Sequence, residues 1–191
     1  MFYAGCPLGR DIGGTEKHVK SFRRPEVLSY RDKYYGPNNM TIIVAGRMPE
    51  NVNALVDNYF GREKSRGAPS RAFKPFCFGS EKRAERLILE RKHTDQVQIM
   101  LGFPGFKYTA EENAIMSVLN TIFGGSMSSR LFIQIRERRG LAYMIRSGDD
   151  HFRDTGYAYV RAGLEAKNIN KAIDVVASEI RKLMTKGVTQ R

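Results

Sequence analysis

The sequence predicts an α+β fold, with a mixed, largely antiparallel sheet and helices packed on it. Apolar residues alternate with others in strand-sized segments, as where Val97, Ile99 and Leu101 are interleaved with Gln96, Gln98 and Met100. Elsewhere they recur at helical spacing, as in Ala114, Ile115, Val118, Leu119 and Ile122. Gly, Pro and Asn clusters separate these segments.

In chain order, Gly13-Gly14-Thr15 opens a short helical turn over residues 16–21. Pro25 restarts the helix as its own first residue, and Val27, Leu28, Tyr30, Tyr34 and Tyr35 extend it for about three turns. It stops at Gly36-Pro37-Asn38-Asn39. Residues 40–45, Met-Thr-Ile-Ile-Val-Ala, are continuously apolar or β-branched and predict a buried strand. A helix starting at Pro49-Glu50 carries Val52, Leu55, Val56 and Tyr59 and closes at Gly61.

Residues 62–81 are rich in Gly, Pro, Ser and basic side chains and predict an exposed linker. Two strands are expected next, over residues 84–92 and 95–103. Thr109-Ala110-Glu111-Glu112 has the form of a capping box before a helix that ends at Gly124-Gly125. Ser126 or Ser128 is expected to cap the following helix, which buries Leu131, Phe132 and Ile135 and stops at Gly140. Strands over residues 141–147 and 156–163 follow, then a helix over residues 168–185 with Gly187 at its end. The organisation is therefore 1–61 helix-strand-helix, 62–81 linker and 82–191 a second α+β unit, whose stop just after a helix end suggests truncation.

The chain has 191 residues, of which 41% are hydrophobic and 27% charged, which excludes both a peptide and a disordered segment. No apolar run reaches the roughly eighteen residues of a membrane span, and no signal peptide is visible, so a soluble chain without a membrane partner is expected. Cys6 and Cys77 cannot form a disulfide framework. His18, His93 and His151 are scattered without a zinc-ligand spacing, so no metal is expected on this chain. Asp149-Asp150-His151 with Asp154 is read as a polar loop between strands rather than a ligand set. The net charge of +12 attracts anions, but its basic residues are dispersed, and a nucleic-acid-binding domain ranks last.

Arg136 and Tyr143 flank the Gly140 stop, so the turn could bring a guanidinium and a phenol to one edge, where both could donate to a carbonyl oxygen or an oxyanion. On spacing alone, a surface Arg and a core Tyr is the favoured reading. The stretch Phe123-Gly-Gly-Ser-Met-Ser-Ser-Arg-Leu-Phe-Ile-Gln-Ile-Arg-Glu-Arg-Arg-Gly-Leu-Ala-Tyr143 adds context. It resembles the signature of the C-terminal domain of the pitrilysin/insulinase family of zinc metallopeptidases, which includes the mitochondrial processing peptidases. Pro7-Leu-Gly-Arg10, Gly14-Thr-Glu16, Tyr35-Gly-Pro-Asn-Asn-Met-Thr-Ile-Ile-Val-Ala-Gly46, Tyr59-Phe-Gly61, Gln96-Val-Gln-Ile-Met-Leu-Gly-Phe103 and Lys186-Gly-Val-Thr189 follow the family's order.

The resemblance implies a piece running from the end of a first family domain, across a linker, into a second. It also implies that each half of the enzyme is built from two related α+β domains and that two halves close like a clamshell around a chamber that takes unfolded peptides. It implies zinc in the parent enzyme or a partner subunit, with the His-x-x-Glu-His ligands ahead of Met1 and none in this chain. It implies that Arg136 and Tyr143 bind substrate backbone and steady the tetrahedral intermediate, with Gly124, Gly125 and Ser128 shaping the turn before the helix. The expected partners are a peptide or unfolded polypeptide and a zinc-motif-bearing half or homologous subunit. A noncatalytic partner or structural subunit of the same family is the alternative.

Overall fold

The computed structural model describes residues 3, 6–61, 76 and 87–188. The chain divides into two compact units, one of residues 4–74 and the other of residues 75–191 together with residues 1–3.

The first unit carries three helices, α1 (Glu16–Ser21), α2 (Arg24–Tyr34) and α3 (Val52–Phe60). Each start follows from local chemistry. The Thr15 hydroxyl accepts the His18 N–H at 3.3 Å and caps α1. Pro25 lies in the first turn of α2, and the Glu26 carboxylate accepts the Arg23 N–H at 2.9 Å. None of the three helices has a buried residue.

The buried strand expected over residues 40–45 does not form: the segment has no strand pairing, and Ile43 is 85% exposed. Its β-branched residues suit a strand, but a strand exists only when its N–H and C=O groups meet a neighbour. Among the described residues of this unit no segment lies alongside as a strand.

The second unit is a three-stranded antiparallel sheet covered by helices. Its strands are β1 (Val97–Gly105), β2 (Ala142–His151) and β3 (Gly156–Leu164), in the order β1-β3-β2. β3 is the centre: Val97 pairs with Leu164 and Gly105 with Gly156 on one side, and His151 pairs with Gly156 on the other. The β2–β3 hairpin is closed by the Phe152 N–H donating to the Thr155 carbonyl at 2.7 Å. Residues 87–92, expected in a strand with 84–86, are exposed and have no strand pairing, whereas 84–86 lie outside the described residues. Apart from Phe76, the expected linker and Cys77 lie outside them too.

Two local expectations are corrected. Asp149, Asp150 and His151 belong to β2 itself, because pairing with β3 continues to the last residue before the hairpin. The helix α4 (Glu112–Asn120) starts without a side-chain cap, so Thr109 does not close a capping box. Instead the Asn113 amide donates to the carbonyls of Lys107 and Tyr108, at 3.0 and 2.9 Å, and fixes the entry from within the first turn.

α4 continues into a π-helical turn, Thr121–Gly125, and a second π-helical segment spans Phe132–Glu137. The helix α5 (Ile169–Lys186) ends at Gly187, whose φ of +64° suits glycine. Phe123, Leu131 and Ile135 pack with Ala172 and Val176 of α5 on Ile145, Val160, Ala162 and Leu164 of the sheet. Ile99 and Leu101 of β1 extend this core at its margin. Burying each large aliphatic side chain contributes roughly 1.5–3 kcal/mol, which locks the helical layer on one face of the sheet. No helix among the described residues is long and apolar enough to cross a membrane.

Candidate functional site

Ile135 is fully buried, and its neighbour Arg136 therefore stands at the surface one residue further round the π-helical segment. Gly140 ends the segment in the left-handed region, at φ +57°, and its N–H donates to the Arg136 carbonyl at 3.0 Å. The Leu141 N–H donates to the Ile135 carbonyl at 2.9 Å. Leu141 and Ala142 are then buried and tie the start of β2 to the core.

Tyr143 comes next, and it is the extra residue of a β-bulge. Ala142 pairs with Leu164 and Met144 with Gly163, so Tyr143 has no opposite number on β3. The bulge turns its side chain outward, to 73% exposure. That overturns the core-Tyr reading favoured by spacing alone.

The Arg136 guanidinium lies 5.7 Å from the Tyr143 ring centroid and 4.9 Å from that of Phe132. It is thus held against two aromatic rings, while its N–H fork and the exposed Tyr143 side chain face solvent. Two hydrogen-bond donors of this kind on one edge suit an acceptor that gains negative charge, such as a peptide carbonyl oxygen under attack.

Gly124 and Gly125 end the π-turn where it crosses β2. A Cβ at Gly124 would sit 2.5 Å from the Ser147 backbone nitrogen, so only glycine allows this approach. The Ser147 hydroxyl donates to the Asn120 carbonyl at 3.2 Å across the same contact. Neither Ser126 nor Ser128 caps the following helix through its side chain. The Ser126 carbonyl accepts both the N–H and the hydroxyl of buried Ser129, at 3.1 and 2.6 Å, and this holds the turn. Ser128 lines a recess to which neither Arg136 nor Tyr143 contributes.

That recess contains a cluster the sequence reading missed. Glu179 of α5 is buried, and its carboxylate accepts from Arg130 Nε at 3.0 Å and from Lys182 Nζ at 2.6 Å. Burial pushes its carboxyl up, but hydrogen bonds from Lys182 and Arg130, together with their charges, outweigh this and hold it below the ordinary glutamate range. The only signal in the sequence is an acid on the apolar stripe of α5.

The described residues do not fit a zinc ion. No three of His, Cys, Asp and Glu converge among them. The His18 ring nitrogen meets the Thr15 hydroxyl at 3.0 Å, and His151 is held by Asp149 and by the Phe106 carbonyl.

Residues 21–191 match the family described as the peptidase M16 inactive domain. The chain belongs to that family. This M16 inactive-domain chain is 32% identical over 189 residues to the uncharacterized zinc protease YmxG of Bacillus subtilis, covering 99% of this chain and 45% of that protein. It is 33% identical over 187 residues to the uncharacterized zinc protease SCO5738 of Streptomyces coelicolor, covering 95% of this chain and 40% of that one. It therefore spans less than half the length of these relatives.

Among solved structures, the M16 inactive domain from Pseudomonas fluorescens superposes with a TM-score of 0.80 at 20% identity, over 99% of this chain and 45% of that chain. A protease from Helicobacter pylori does so with a TM-score of 0.74 at 17% identity, over 93% and 43%. Both share the α+β fold of the M16 inactive domain.

Proposed function

We propose that this chain is part of a zinc-dependent endopeptidase, to which it contributes peptide binding and closure of the proteolytic chamber. Residues 1–61 end a first family domain, 62–81 link, and 82–191 form the second. The zinc and its general base come from a zinc-motif-bearing half or a homologous subunit, since the described residues here offer no ligand set.

The observation that carries this reading is the exposed Arg136–Tyr143 edge. As the scissile carbonyl turns tetrahedral its oxygen gains charge, and donors already positioned for that oxygen lower the barrier without reorganising. Arg136 supplies a charged donor, and the Tyr143 hydroxyl supplies a neutral one. Glycines 124 and 125 hold the turn that supports the helix bearing Arg136.

The test is hydrolysis of a quenched-fluorescence peptide with zinc present, by this chain alone and with a full-length, zinc-motif-bearing homologue. Activity is expected only in the complemented sample. Arg136→Ala or Tyr143→Phe is expected to reduce its kcat by about 10²–10³, the loss typical of one oxyanion donor. Unchanged activity in both variants would make the chain a noncatalytic, structural partner, and activity of the chain alone would refute the need for a second half.

A further inference from the structure

We infer that the recess between the π-helical segment and α5 binds a small-molecule oxyanion, through a phosphoryl or carboxylate group. The inference does not rest on the proteolytic reading, because the recess shares no lining residue with the Arg136–Tyr143 edge.

The recess has a volume of about 280 Å³ and draws Ser128, Arg130, Gln134 and Arg138 from one side and Glu179 and Lys182 from the other. The lining therefore carries three cationic residues and one carboxylate, and two of the three, Arg130 and Lys182, meet that carboxylate directly. That carboxylate is already committed: Glu179 takes Arg130 only through Nε, and Lys182 through one N–H. The two terminal amino groups of Arg130 and two ammonium protons of Lys182 remain to donate. Glu179 thus aligns two cations without exhausting either.

The other lining groups add donors. Arg138 makes no side-chain hydrogen bond or ion pair with any described residue. The Gln134 side-chain oxygen accepts from Arg139 at 2.7 Å, which leaves its amide N–H₂ as the group with free capacity. The Ser128 hydroxyl has only the Ser126 hydroxyl, at 3.2 Å. A concavity with donors in excess and its sole carboxylate engaged complements a group that only accepts, and charge-assisted bonds from guanidinium make an oxyanion the matching class. The volume exceeds a bare phosphate or carboxylate, so the recess leaves room for an anion with a small organic body.

Its test titrates the full 191-residue chain with inorganic phosphate and, separately, with succinate, at constant ionic strength. Binding is read by calorimetry and by the NMR signals of the arginine Nε–H groups. Saturable one-to-one binding that shifts Arg130 is expected. Saturation by phosphate alone identifies a phosphoryl ligand, and by succinate alone a carboxylate.

Arg138→Ala should weaken binding about tenfold or more by removing an uncommitted guanidinium. Gln134→Glu should abolish it by placing a second carboxylate in the recess, while still accepting from Arg139, so its circular dichroism and melting should stay unchanged. Lys171→Ala, an exposed charge on α5 outside the recess, should bind like the parent. Absence of saturation with both probes would overturn the site. So would equal weakening by Lys171→Ala and Arg138→Ala, since that reports only attraction to a chain of net charge +12.

Discussion

Gly124 lies against Ser147 so closely that a methyl group on it would meet the Ser147 nitrogen at 2.5 Å and its hydroxyl oxygen at 2.7 Å. The obstacle is strand backbone, which is itself paired to β3, so the π-turn would have to move. Gly124→Ala is expected to destabilise the chain by about 1–3 kcal/mol, the usual cost of overpacking. Chemical denaturation of the two proteins measures it.

Gly140 holds the turn between Arg136 and Tyr143 at φ +57°. An L-residue there costs roughly 1–2 kcal/mol, and relief of that strain would loosen the cap on the Arg136 carbonyl. Gly140→Ala should lower the melting temperature and shift the NMR signals of both Arg136 and Tyr143.

Tyr143 is exposed on its bulge, and Tyr143→Phe keeps the ring against Arg136 while removing only the hydroxyl. Stability should stay within about 0.5 kcal/mol of the parent. A loss of complemented peptide hydrolysis in this variant, with its melting curve unchanged, would therefore report the hydroxyl and not the fold.

Glu179 titrates below the ordinary glutamate range, because the bonds and charges of Lys182 and Arg130 outweigh the cost of burial. A depressed carboxylate adds stability that is present above the unfolded-state value and disappears as pH falls through the folded one. Glu179→Gln should accordingly destabilise the chain at neutral pH and flatten the acid limb of its stability curve. Melting temperatures from pH 7 down to pH 3 would check this.

Tyr157 behaves in the opposite sense. Its hydrogen bond to Asp150, then burial, then the Asp150 charge push it up to about 12 from 10.0. The folded state holds the phenol proton more tightly than the unfolded one, so this stability is complete below about pH 10 and lost as pH rises toward 12. Tyrosinate absorbance should show a late-titrating phenol, and Asp150→Asn should move that late step to lower pH.

Much of the second unit is readable from the chain because its determinants are local or periodic. The alternation from Val97 to Leu101 yields β1 and its half-buried face, and the stripe from Ile173 to Leu183 yields α5. Gly140 and Gly187 stop helices at positive φ, which glycine adopts without the strain an L-residue would carry. Residues 40–45 and 87–92 fail on the same principle, since their apolar runs specify a preference for pairing but not a partner. Asp149 and His151 read as loop because polar residues resemble a turn when the pairing of β2 with β3 is unknown.

For the candidate site, the sequence by itself determined which groups are present and that a glycine turn separates Arg136 from Tyr143. Tertiary structure alone decided that the two meet. The β3 register forces Tyr143 into a bulge, and the buried Ile135 beside Arg136 leaves the guanidinium at the surface, so one edge carries both donors. The Glu179 cluster depends still more on folding: its partner Arg130 is 49 residues away in the chain, and only the docking of α5 beside the helical segment that Arg130 opens brings the charges together. A sequence period fixes which face of an element is apolar, whereas contacts between distant polar groups follow from how those faces dock.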